Sequence, residues 1–115
     1  MRDPKERLRD IISAIESIER YQDISYEDLE NNDLVSVWFV RHLEIIREAA
    51  RALPQAVKEL DTSVQWSEII GMRTILVHQY FMIDLEVLWE VVQNDVPILK
   101  IKVQNILSQL GEEIG

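Results

Sequence analysis

Gly71-Met72-Arg73-Thr74-Ile75-Leu76-Val77-His78-Gln79-Tyr80 sets an arginine, a histidine and a tyrosine into an otherwise apolar run. Together with Ile69 and Ile70, the residues Met72, Ile75, Leu76 and Val77 leave almost no water-loving face. The spacing predicts a helix buried on most sides, around which the rest of the chain is organised. Charge in such a helix needs a reason. An unpaired guanidinium there would cost several kcal/mol, roughly the whole stability of a small domain, so Arg73 must be paired or must face a wet cleft.

At about 100° per residue, Arg73 and Tyr80 nearly eclipse one another, whereas His78 lies roughly 140° round the cylinder from Arg73. A regular helix therefore does not aim all three at one point. Convergence requires that the last turn loosen near Tyr80, where Phe81-Met82-Ile83 leads to a new helix start at Asp84, or that a second chain complete the cluster. The sequence favours both.

Outward from this stretch, composition bounds the answer. In 115 residues, 47% are hydrophobic and only three are Gly and three Pro, which predicts one helical domain over 1–115 with few sharp turns. The absence of cysteine removes disulfides and thiolate metal sites and suits a reducing cytoplasm. The charged opening Met1-Arg2-Asp3-Pro4-Lys5-Glu6-Arg7 has no signal-peptide core, and no apolar run approaches the ~20 residues of a membrane span. A cytoplasmic protein without a membrane partner is expected. With 12 basic and 21 acidic residues the formal charge is −9, the wrong sign for broad nucleic-acid binding. No DNA partner is expected, and any RNA contact must be local. An acidic surface could also dock on a basic partner.

Taken in order, Asp3-Pro4-Lys5-Glu6 is a helix opening with a capping Asp, Pro at the first helical position and Glu three residues after the cap. Leu8, Ile11, Ile12, Ile15 and Ile18, extended by Tyr21, mark the core stripe of a first helix over about 4–22. Ser25-Tyr26-Glu27-Asp28 repeats the capping pattern, and Asn31-Asn32-Asp33 breaks and recaps the chain. A second helix, about 34–53, carries Leu34, Trp38, Ile45 and Ala49 on one stripe and Val35, Phe39, His42, Ile46 and Ala50 on the next. Two adjoining stripes predict a wide buried face. Arg41, Glu44, Glu48 and Arg51 share a polar strip, either ordinary surface pairing or, with Glu44 or Glu48 turned toward Arg73, part of a supporting polar network.

Pro54 ends that helix, and the polar connection Leu60–Gln65 leads to a third beginning near Trp66. Asp84 caps a fourth, with Leu85, Leu88, Val91 and Val92 inward, and Asn94-Asp95-Val96-Pro97 predicts a kink or split. The apolar pattern resumes from Ile98 to Leu110, and Gly111 ends it. No period-two alternation runs for long, and no hairpin dipeptide or repeat occurs. The predicted class is all-α, an up-and-down bundle of four or five helices.

The common catalytic vocabularies are missing: there is no phosphate loop, Cys nucleophile or HExxH, and no Glu-x-x-His pair precedes His42 or His78. Neither a metal nor a cofactor is expected. His42 lies on an apolar face and reads as a hydrogen-bonded core histidine. For Arg73 and His78 two readings stay open: an ion pair to a second-helix Glu with a helix-capping His, or a cation for a phosphate oxyanion with a histidine for proton transfer.

Arg73, four residues, His78, one residue and Tyr80 match the Arg-x4-6-His-x-Tyr signature of HEPN-domain proteins of the HepT type, the toxin half of MNT/HepT toxin–antitoxin pairs. The resemblance is wider than the motif. It takes in Arg41-His42-Leu43-Glu44-Ile45-Ile46-Arg47-Glu48-Ala49, Trp66 through Met72, His78-Gln79-Tyr80-Phe81, Asp84-Leu85-Glu86 and Trp89 through Pro97, in the same order. The departures are His42, where members commonly have Asn, and Arg47 and Met82, where they often have Gly. The resemblance implies a homodimeric, metal-independent endoribonuclease with Arg73 and His78 as catalytic residues in a cleft at the dimer interface. It also implies a nucleotidyltransferase antitoxin of the MNT type that silences the enzyme by AMPylation of Tyr80. Two rivals remain. One is a non-catalytic substrate-binding subunit of a minimal nucleotidyltransferase, and the other is a helical dimerisation module whose Arg73, His78 and Glu44 or Glu48 form a buried polar network.

Overall fold

The computed structural model describes residues 3–71 and 84–111. Among these residues seven α-helical segments occur: α1 Pro4–Glu19, α2 Tyr26–Glu30, α3 Asp33–Ala52, α4 Gln55–Lys58, α5 Trp66–Gly71, α6 Leu85–Glu90 and α7 Val96–Gln109. One π-helical turn, Val91–Asp95, joins α6 to α7. No strand occurs among the described residues, so the class is all-α as the sequence predicts.

The helix starts are written locally. Asp3 Oδ1 accepts the Lys5 N–H at 2.8 Å, Ser25 Oγ the Asp28 N–H at 3.1 Å, Asn32 Oδ1 the Val35 N–H at 3.2 Å and Asp84 Oδ1 the Val87 N–H at 3.2 Å. Each cap satisfies a donor that the first turn leaves without a helical partner. At the other end of the chain, Gly111 adopts φ 85°, the left-handed conformation that closes α7. The first helix stops at Glu19, short of 22, and continues as a turn in which Tyr21 N–H bonds Ile18 O at 3.1 Å. A one-turn helix, α4, follows Pro54 where the sequence shows only a connection.

The core is built mainly by α1 on α3, then by α1 on α7. Leu8, Ile11, Ile15 and Ile18 of α1, Phe39 and Ile46 of α3, and Val103 and Ile106 of α7 are all sealed from solvent. One of the two stripes expected on α3 is only partly inside. Leu34 is 83% exposed, because it sits in the first turn beyond the reach of α1, while Trp38 and Ile45 are half-buried and Ala49 is buried. Tyr21, expected to extend the α1 stripe, lies beyond the helix end and is 47% exposed.

Three tryptophans hold the joints. Trp38 Nε1 donates to Ser17 O at 2.8 Å, Trp66 Nε1 to Lys58 O at 3.1 Å and Trp89 Nε1 to Ile24 O at 3.3 Å. Each fills a carbonyl at or beside a helix end while its ring covers apolar neighbours.

The split before Pro97 has a physical cause. Val96 N–H bonds Val91 O, and Pro97 has no N–H to give, so Val92 O loses both possible helical donors. Gln22 Nε2 fills the gap at 3.0 Å, and Gln93 Nε2 returns a bond to Gln22 O at 2.6 Å. The two glutamines form a reciprocal clasp between the end of α1 and the π-turn.

Candidate active site

The outer edge of α3 carries the polar strip of the sequence, and the structure gives it a centre that the pattern did not name. Arg47 is only 8% exposed, the one buried cationic side chain among the described residues. Its Nη2 donates to Glu44 Oε1 at 2.9 Å and to Glu48 Oε1, and Arg51 Nη2 holds the other oxygen of Glu48 at 3.1 Å. The carboxylates remain open to water, with side-chain exposures of 41% and 45%. The bond to Glu44 raises the proton affinity of the Arg47 guanidinium above its usual value, against the opposing effect of burial.

This arrangement is not built for stability. Exposed ion pairs contribute about 0–1 kcal/mol, and burying a guanidinium consumes much of what its partners return. Arg47 Nε is moreover buried with no acceptor, a loss of about 1–3 kcal/mol. What the geometry does achieve is direction: two carboxylates one turn apart are fixed by a cation underneath them.

Arg41, expected within the same network, is exposed and makes no ion pair among the described residues. Glu44 and Glu48 are in the network, bonded to Arg47 rather than to Arg41. Arg73, His78 and Tyr80 lie outside the described residues, as do Met82 and any pairing of Glu44 or Glu48 with Arg73. Arg47 was missed as a network member because its burial is invisible at three- and four-residue spacing. Its sequence signal was the apolar company, Ile45, Ile46, Ala49 and Ala50, on both sides of a charge.

His42 is a satisfied core histidine, as its apolar face predicts. It is 8% exposed, its Nδ1–H donates to Trp38 O at 2.7 Å, and its ring lies 4.3 Å from that of Trp38. Beside the strip, Leu43 and Ile46 of α3 floor a cavity of about 430 Å³ whose other walls include Glu68 and Ile69 of α5, Asp95 of the π-turn and Lys102 of α7. Helices α3 and α5 therefore flank one concave surface, and α5 is described up to Gly71, two residues before Arg73 in the sequence.

The family model described as ribonuclease HepT-like matches residues 11–106, which include α3 and the Arg73–Tyr80 stretch. The chain belongs to this family. A Methanocaldococcus jannaschii protein provisionally named an RNase is 42% identical over 104 residues, 90% of this HepT-like chain and 95% of the relative. A Thermococcus cleftensis protein named, also provisionally, ribonuclease HepT is 39% identical over 106 residues, covering 91% and 96%. A third, from Caldanaerobacter subterraneus subsp. tengcongensis and again provisionally named an RNase, is 38% identical over 110 residues, covering 95% and 98%. No solved structure matches the chain. No described helix is long and apolar enough to cross a membrane.

Proposed function

We propose that the chain is a ribonuclease of the HepT toxin type, acting on RNA as a homodimer in the cytoplasm and built as one helical domain. The observation that carries this reading is the family match across residues 11–106, within which Arg73, His78 and Tyr80 stand in the order and spacing of the family motif. The names of the relatives support the substrate class.

In this reading the ribose 2′-hydroxyl attacks the adjacent phosphorus. A base removes its proton, the bond from phosphorus to the 5′-oxygen breaks, and an acid protonates that leaving oxygen. His78 supplies proton transfer near neutral pH, and Arg73 meets the charge gathering on the phosphoryl oxygens. One imidazole cannot sit on both sides of an in-line displacement, so a two-fold groove that brings two copies of His78 and Arg73 together would complete the site. No step draws on a metal or cofactor. AMPylation of Tyr80 by a nucleotidyltransferase antitoxin would put a phosphate beside Arg73, competing for its cation and blocking the groove.

The test is cleavage of RNA by the purified protein, with Arg73→Ala and His78→Ala each expected to abolish it while fold and dimer persist. Undiminished cleavage by both variants would sink the assignment. The formal charge of −9 favours one other reading, a non-catalytic subunit that docks substrates for a nucleotidyltransferase. A folded wild-type protein inert toward RNA, yet bound by such an enzyme, would select it.

A further inference from the structure

A polyanion approaching a chain of charge −9 needs a path on which it is not repelled, and the described surface is uneven in this respect. Around Tyr26, where α2 meets α6, Glu30, Glu86 and Asp84 crowd together. Partial desolvation and the fields of these three carboxylates, in that order, raise the pKa of the tyrosine hydroxyl. The α3 edge is the opposite case. Among the described residues Arg41, Arg47 and Arg51 share that edge with Glu44 and Glu48, one net positive charge in the strip.

Within the strip the cations have different roles. Arg47 is underneath, bonded to both carboxylates and out of reach of a ligand. Arg41 and Arg51 are outside and exposed, ten residues apart. At a rise of 1.5 Å per residue they lie about 15 Å from each other along the axis and about 80° apart around it, too far for one phosphate and suited to different phosphates of one strand. Arg47 holds Glu44 and shares Glu48 with Arg51, so the strip of three arginines and two glutamates keeps one net positive charge; Arg41 makes no ion pair among the described residues, and Arg51 reaches a phosphodiester by exchanging Glu48, which Arg47 still holds.

We propose that the outer edge of α3 is the track that holds the RNA backbone, with Arg41 contacting one phosphate, Arg51 exchanging Glu48 for another, and Arg47 acting as the buried counter-ion that retains Glu44 and Glu48. The proposal rests on the ribonuclease reading and adds to it a binding surface outside the Arg73–Tyr80 stretch. Because Arg41 and Arg51 contact backbone, they would fix register without reading sequence.

The experiment measures binding of a fluorescent 2′-O-methyl oligoribonucleotide, which lacks the attacking hydroxyl and stays intact, as a function of salt. Arg41→Gln and Arg51→Gln should each weaken binding about three- to tenfold and reduce the slope of log affinity against log salt by about 0.7, the single-strand value for one lost phosphate contact. Arg20→Gln, an exposed arginine at the end of α1, removes the same charge off the strip and should change neither. Arg47→Gln should weaken binding by a similar factor, and adding Glu44→Gln and Glu48→Gln should restore it, which a merely structural role would not do. Unchanged affinity and slope in both the Arg41 and Arg51 variants, with wild type still cutting RNA, would overturn the track and leave the ribonuclease reading standing. An equal loss in Arg20→Gln would overturn it as well, by making the effect one of net charge. Wild-type protein that neither binds nor cuts RNA would remove the reading and the track together.

Discussion

Two regions of the molecule put polar side chains between or beside packed helices, and they settle their hydrogen bonds in opposite ways. At the π-turn, Gln22 fills the Val92 carbonyl that Pro97 orphans, and Gln93 donates in turn to the backbone carbonyl of Gln22. On α3, Arg47 is buried under two half-open carboxylates and keeps an Nε donor with no acceptor. The first arrangement closes a defect in the backbone. The second leaves a defect beside outward-facing charge, which is what the proposed binding track requires and a joint used only for folding does not.

The comparison can be broken at either end. Gln22→Ala removes the donor to a part-buried carbonyl that no helical N–H can reach, so it should destabilise by about 1–3 kcal/mol, visible as a fall of several degrees in thermal midpoint, with RNA cleavage per folded molecule unchanged. A loss of activity without a loss of stability would contradict the division. Combining Gln22→Ala with Gln93→Ala refines it: the two bonds join the same two backbone segments, so a double-mutant cycle should show a coupling of about 1 kcal/mol. Arg47→Met is the converse case. The apolar chain fills the same space and leaves no buried donor behind, so stability should change by less than about 1 kcal/mol in either direction while oligoribonucleotide binding falls. A drop of several kcal/mol would make Arg47 a structural residue like Gln22.

The smallest effect concerns Asp61, in the connection between α4 and α5. Hydrogen bonds from Ser63, first from its hydroxyl and then from its backbone N–H, hold this carboxylate below its usual range, with smaller help from Lys102 and Val64. A folded-state pKa lower than the unfolded one gives stability above the usual range that is lost as pH falls through it, below about pH 4. Asp61→Asn should therefore melt slightly lower than the parent at neutral pH and converge with it in acid. A gap that persists in acid would mean the effect is not charge.

What was legible in the sequence follows the range of the forces involved. The caps at Asp3, Ser25, Asn32 and Asp84, the stop at Pro54 and the close at Gly111 each depend on residues within one turn, and all could be read directly. Pro97 announced an interruption of the last helix. Its repair by Gln22, 70 residues from Val92, could not be read, because nothing local marks a glutamine as the donor for a distant carbonyl. Periodicity also overreached at Leu34, in the first turn of α3, and at Tyr21, where the apolar spacing runs past the end of α1 itself. The candidate site was half legible. Glu44 and Glu48 were visible as a strip, but their cation is Arg47, whose three-residue step from Glu44 looks like a surface pair until the packing of α3 turns it inward.

The tryptophans supply a built-in set of reporters. Trp38, Trp66 and Trp89 each tie an indole to a carbonyl at a separate junction, so chains keeping only one of the three would emit according to the wetting of that junction alone. Heating such single-indole chains would reveal whether the ends of this bundle loosen together or one after another.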